Sequence, residues 1–206
     1  MWQSYMNGLL VALGLIMAIG SQNAFVLAQS LRREHHLPVA ALCVICDALL
    51  VAAGVFGLAT VLAQSPILLA VARWGGAAFL LWYGACALRR ACSKQSLDQS
   101  DSLKTRSLRA VLLSALAVTL LNPHVYLDTL MLLGSFGSQF AEELRPAFAA
   151  GAMLASLVWF YSLAFGAAAL SPWLARGRVQ QAIDTIVGFI MLGLALQLAS
   201  GALLAS

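Results

Sequence analysis

Charge is scarce in this chain: twelve Lys and Arg with eight Asp and Glu amount to 10% of 206 residues. With 62% of residues hydrophobic and a mean hydropathy of +0.88, that scarcity excludes a soluble domain and points to a polytopic membrane protein. The net charge of +4 therefore bears on membrane topology, and no nucleic-acid partner is expected. Other shortages narrow the reading further. Met1 to Met6 contain no Lys or Arg, and the apolar run behind them outlasts a signal core, so the segment is read as an uncleaved first span. Cysteine is confined to Cys43, Cys46, Cys86 and Cys92. Cys43 and Cys46 make a single C-x-x-C with no second pair to complete a tetrahedral site, and they are read as small apolar residues. No metal, cofactor or enzymatic activity is expected. Proline occurs five times, in loops or a first helical turn except at Pro123, which lies inside an apolar run.

What the chain does have is a series of apolar runs near the roughly 20 residues needed to cross the hydrocarbon. They cover about Met6 to Leu27, Pro38 to Leu62, Ile67 to Leu88, Val111 to Leu133, Phe148 to Leu170 and Ile183 to Leu204. The expected fold is all-α, with six transmembrane helices. Trp74 at one end of the third span and Trp82-Tyr83 at the other suit an interfacial aromatic belt. Asp184 marks the mouth of the sixth span and Gln197 lies within it.

Leu121-Asn122-Pro123-His124-Val125-Tyr126-Leu127-Asp128 is out of place in a membrane helix. Pro123 removes a backbone donor and clashes with the preceding turn, so the helix must kink or unwind. Such irregularity is tolerated only against protein or a water-filled cavity. Asp128 adds a carboxylate that costs roughly 2.5–3.5 kcal/mol at a span's centre on insertion scales. If the helix resumes after the proline, His124 and Asp128 share a face, and Asn122 and Tyr126 form a second pair. A similar disturbance, Gly20-Ser21-Gln22-Asn23, interrupts the first span, where it reads as a discontinuous helix or as an interfacial cap. Asp47 lies near the centre of the second span, on a stripe with Ala40 and Gly54 that suits close packing. Buried there, it is either a functional acid or a hydrogen-bonded structural one.

Loops after the first, third and fifth spans carry Arg32, Arg33, six positive residues of the Arg89 to Arg109 linker, Arg176 and Arg178, which leaves only Arg73 and Arg145 for the other side. The positive-inside rule then places the linker in the cytoplasm and both termini in the periplasm. The linker also divides the chain into a three-helix repeat at 1–88, a basic segment at 89–109 and a second repeat at 110–206. An odd number of spans per half inverts the second, and an interrupted segment opens each half, the signature of an inverted-repeat transporter with its site near the midplane.

Gly20-Ser21-Gln22-Asn23-Ala24-Phe25-Val26-Leu27 and Leu121 to Asp128 resemble the signatures of the lysine and arginine exporter family. The likeness extends through Leu42-Cys43 to Asp47, Trp74-Gly75-Gly76 and Leu80-Leu81-Trp82-Tyr83-Gly84, and it is nearest to the arginine exporter branch. The resemblance implies export of basic amino acids across the bacterial inner membrane, driven by an ion gradient. Its site would draw on Gln22, Asn23, Asp47, Asn122, Pro123, His124, Tyr126 and Asp128, with the lipid bilayer as surroundings, a coupling ion as co-substrate and a homodimer as a compatible assembly. Relatives commonly carry Pro where this chain has Ser21, so a less sharp first break is expected. Without the resemblance the residues reach only a small-ion or small-solute transporter. A transporter of another small cation, a thiol or metal conduit through Cys43 and Cys46, and a scaffold remain the alternatives.

Overall fold

The first apolar stretch folds as two helices that meet at an angle. The computed structural model describes residues 1–17, 20–56, 66–92, 107–122, 125–174 and 177–203. In it α1 (Trp2–Ile16) and α2 (Ser21–Arg32) are bent 78° from one another. Ser21 occupies the first helical position of α2, where a proline is best accommodated. The bend is sharp without one. α2 ends in a Schellman turn, in which Glu34 N–H reaches Gln29 O at 3.1 Å and Arg33 adopts the left-handed conformation at φ 55°. A non-glycine residue there costs about 1–2 kcal/mol, offset by the Arg33 guanidinium, which donates through Nε and Nη2 to Ala168 O at 3.1 and 2.9 Å.

α3 (His36–Val55) and the Glu142–Ser171 stretch are each long and apolar enough to cross a membrane, with mean hydropathies of 2.3 and 1.8, and the bent pair makes a third if counted as one span. At 1.5 Å per residue, the 20 residues of α3 reach about 30 Å, the thickness of a hydrocarbon core. α4 (Pro66–Cys92) follows, then α5 (Leu108–Leu120). After a break the chain resumes as a π-helical segment, Tyr126–Leu133, and continues as the short α6 (Gly134–Ser138). α7 (Arg145–Leu174) and α8 (Gly177–Leu203) complete the bundle. No strand occurs among the described residues. Residues 57–65, the expected end of the second span, and 93–106, most of the basic linker, lie outside them.

Helices approach backbone to backbone where glycine removes the side chain. A Cβ at Gly8 would stand 2.0 Å from Phe148 O and one at Gly151 2.0 Å from Tyr5 O, which sets α1 against α7. Gly54 and Gly134 do the same for α3 and α6: a Cβ on Gly134 would lie 2.8 Å from Gly54 O. The Ala40, Asp47, Gly54 stripe is therefore a packing face, and all three residues are buried. Trp74 and Trp82 are exposed, as an aromatic belt requires. Tyr83 is not: it is 3% exposed, packs on Phe25 and Phe79, and lies under the Arg90 guanidinium.

The two ends of the bundle differ in chemistry. At one, Arg32 from α2 and Arg90 from α4 both pair with Asp184 of α8, the latter at 3.4 Å, while Ser171 Oγ donates to Leu31 O at 2.7 Å. The acid expected at the mouth of the last span is thus buried among arginines of two other helices. At the opposite end, Ser4 Oγ donates to Leu144 O at 2.9 Å and Arg145 Nε to Phe140 O at 3.2 Å. Arg32, Arg33, Arg89 and Arg90 share one end, as their loops were expected to.

Candidate functional site

A helix that stops inside a bundle leaves its last carbonyls without intrahelical partners, and in apolar surroundings each must find another donor. α1 stops at Ile16, and Asn23 of α2 turns its side chain back to donate through Nδ2 to Ile16 O at 2.7 Å. Trp159 of α7 donates through Nε1 to the other end of the same amide, Asn23 Oδ1, at 3.1 Å. α5 stops at Leu120, and there Tyr126 of the π-helical segment donates its hydroxyl to Leu120 O at 2.7 Å. Each break is closed by a side chain from the segment that follows it.

The breaks also meet. Asn122 Nδ2 donates to Ser21 Oγ at 3.2 Å across 101 residues of sequence. Beside them Asp47 of α3, 6% exposed, accepts from Ser156 Oγ of α7 at 2.7 Å and from Gln22 Nε2 at a long 3.5 Å. These groups border a cavity of about 240 Å³, lined on its polar side by Ser21, Gln22, Asn23, Asp47, Asn122, Asp128, Thr129, Ser156 and Gln197, and otherwise by apolar residues such as Leu15, Val51, Leu80 and Leu194. Two carboxylates and, among the described residues, no Lys or Arg line it, a bias toward cationic guests. Its volume, below the 300–1,000 Å³ typical of drug-sized ligand pockets, suits a small solute.

Of the residues singled out by sequence, the structure brings Gln22, Asn23, Asp47, Asn122 and Asp128 to this one cavity. Pro123 and His124 lie outside the described residues. Tyr126 does not line the cavity, because its hydroxyl is committed to Leu120 O. The expected facing of Asn122 and Tyr126 on one helix does not form either: Asn122 lies in the break, Tyr126 begins the next segment, and their side chains go to different partners. The π winding, with bonds from i to i+5, also moves Asp128 off the register that α periodicity gives. Cys43 and Cys46 are buried free thiols of α3 that do not line the cavity.

Sequence reasoning missed Ser156 and Trp159 of α7. Serine is common at membrane-helix contacts and tryptophan in apolar spans, so neither stands out. Their signal is that they lie three residues apart on a span that carries no charge.

The chain matches the family model for LysE type translocators over residues 13–202. It is 66% identical over 206 residues, all of both chains, to a protein of Aeromonas salmonicida named "Putative amino-acid transporter YggA". To the arginine exporter protein ArgO of Pectobacterium atrosepticum it is 50% identical over 200 residues, 97% of this chain and 98% of the relative. It is 48% identical over 199 residues to ArgO of Pectobacterium carotovorum, with the same coverage. No solved structure matches it. A match over nearly the full length, together with apolar helices built around a shared polar cavity, gives a multi-pass membrane transporter and not an enzyme: the chain belongs to the LysE type translocator family.

Proposed function

We propose that the protein is a secondary transporter that exports basic amino acids, arginine foremost, across the bacterial inner membrane. The observation that carries this reading is the cavity at which the two helix breaks meet, with Asp47 and Asp128 on its wall and no cationic side chain among its described lining residues. One or both carboxylates would receive the guanidinium or ammonium group of the substrate, and the first N–H groups of α2, which opens at Ser21, would face its carboxylate. Relatives named arginine exporter along nearly their whole length support arginine as the first substrate to try.

Six spans in two inverted repeats, with both termini periplasmic, complete the proposal. Its support is the pattern of packing: both halves of the first broken span lie on α7, both halves of the second on α3, α3 packs on α7, and α4 on α8. A pseudo-two-fold axis in the membrane plane would exchange these pairs. Arginines gathered at one end support that end as the cytoplasmic one. Thiols introduced at Ser96 or Ser100 should stay unreactive to an impermeant reagent in intact cells, and reaction there reverses the orientation. An ion gradient would drive export.

Vesicles loaded with labelled arginine, lysine or a neutral amino acid test the function. Arginine or lysine should leave faster through the protein than the neutral control when an ion gradient is imposed. Equal efflux of all three, or none above empty vesicles, rejects the reading.

A further inference from the structure

Ser156 and Trp159 lie three residues apart on α7, the spacing at which helical side chains share a face. Ser156 is fully buried and donates to Asp47 Oδ2 at 2.7 Å. Trp159 donates to Asn23 Oδ1 at 3.1 Å, and the same amide donates to Ile16 O at 2.7 Å. One helix face in the second half of the chain thus holds two groups of the first half: a cavity carboxylate and the amide that closes the α1–α2 break.

Burial alone does not demand these partners. A serine in an apolar helix usually satisfies its hydroxyl on the carbonyl one turn back, as Ser30 does on Val26 O at 2.7 Å and Ser114 on Ala110 O at 2.8 Å. Ser156 instead crosses to another helix. Its bond occupies Asp47 Oδ2, whereas among the described residues Oδ1 has the 3.5 Å contact from Gln22 and no other. A contact that long is weak and easily exchanged for a cationic group. Oδ1 is therefore the oxygen that a guest can take.

We propose that Ser156 and Trp159 are positioning residues for transport. Ser156 turns Asp47 so that Oδ1 addresses the substrate's cationic group, and Trp159 holds Asn23 at the angle that keeps the first break open to the cavity. A shift of α7 against the first half then changes the cation contact and the break together. This rests on the reading of the cavity as a basic amino-acid site.

The two roles predict different kinetics in vesicles. Ser156→Ala raises KM for arginine about fivefold, the worth of one hydrogen bond, with maximal rate little changed. Ser156→Thr, which keeps the hydroxyl, restores much of the loss. Trp159→Phe lowers the maximal rate with KM nearly constant. A second readout needs no substrate: Leu15, which lines the cavity beside the first break, is replaced by Cys in a chain whose four native cysteines are Ala, and labelling by a small water-soluble thiol reagent is timed. Trp159→Phe changes that rate severalfold, while Phe at the exposed Trp82 does not. Should the unaltered protein move neither arginine nor lysine, the functional reading fails and labelling alone decides the positioning claim. Unchanged KM in Ser156→Ala, equal falls in maximal rate for both variants with lowered melting temperatures, or unchanged labelling in Trp159→Phe overturns the proposal.

Discussion

The two helix breaks solve one physical problem with different means. At the first, the exposed carbonyl of Ile16 is closed by an amide, and that amide is itself held by Trp159 from the other half of the molecule. At the second, the carbonyl of Leu120 is closed by the Tyr126 hydroxyl, from the segment that follows, and the chain then continues in the wider π winding. The carbonyl of the first break is thus closed by a group that a distant helix holds and that of the second by a group of its own segment, while Asn122 and Ser21 join the two breaks. In the transport cycle proposed above, a shift of α7 would reach the first break directly through Trp159 and Asn23, and the second only through the bond between Asn122 and Ser21.

The largest effects should come from the carboxylate that accompanies each break. Asp47→Asn and Asp128→Asn keep shape while removing charge, and each should cut arginine export at least about tenfold, the scale of a lost charge-assisted hydrogen bond. Expression and melting temperature should change far less. If only one variant loses net accumulation yet still exchanges arginine for arginine, that carboxylate handles the coupling ion. Near-normal export in both returns the acids to packing and removes the functional side of the comparison.

Next in size is Pro123→Ala. The first break has no proline and stays sharply bent, whereas the second carries one. Restoring the N–H at position 123 should let the second helix close, leaving melting temperature equal or higher and transport several times slower. Normal export by a folded Pro123→Ala protein means that the second break, like the first, is kept open by side chains.

Removing the caps compares the breaks directly. Asn23→Ala strands both Ile16 O and the Trp159 N–H, while Tyr126→Phe strands only Leu120 O. At about 1–3 kcal/mol for each buried group left unpaired, the first substitution should lower the melting temperature in detergent more than the second. The reverse order means that the tie to α7 is slack.

Much of this arrangement was legible in the sequence, for physical reasons that also mark where legibility ended. Asp47, Asp128 and the Asn-containing breaks stand out because apolar surroundings make every polar group an exception that needs a cause. Arg32 and Arg90 were readable as one-sided because topology depends on charge, but their meeting at Asp184 was not, since long-range pairing leaves no periodic trace. α periodicity pairs Tyr126 with Asn122 on one face, and the break with the π winding after it alters that register. Ser156 and Trp159 went unnoticed because their roles lie in which helix they cross to, and composition does not encode that.

The smallest effect belongs to the bond between Asn122 and Ser21, which joins the breaks. Asn122 Nδ2 donates to Ser21 Oγ at 3.2 Å between two partly polar segments, and hydrogen bonds between membrane helices average about 0.6 kcal/mol because the separated partners find substitutes. Asn122→Ala should therefore barely move the melting temperature and should raise KM for arginine only about two- to threefold. Ser21→Ala removes the acceptor from the other side and should match it. Because the two residues share one bond, the double variant should be no worse than either single one. Additive losses show that Asn122 and Ser21 meet the substrate separately, and that the breaks act on the cavity independently of each other.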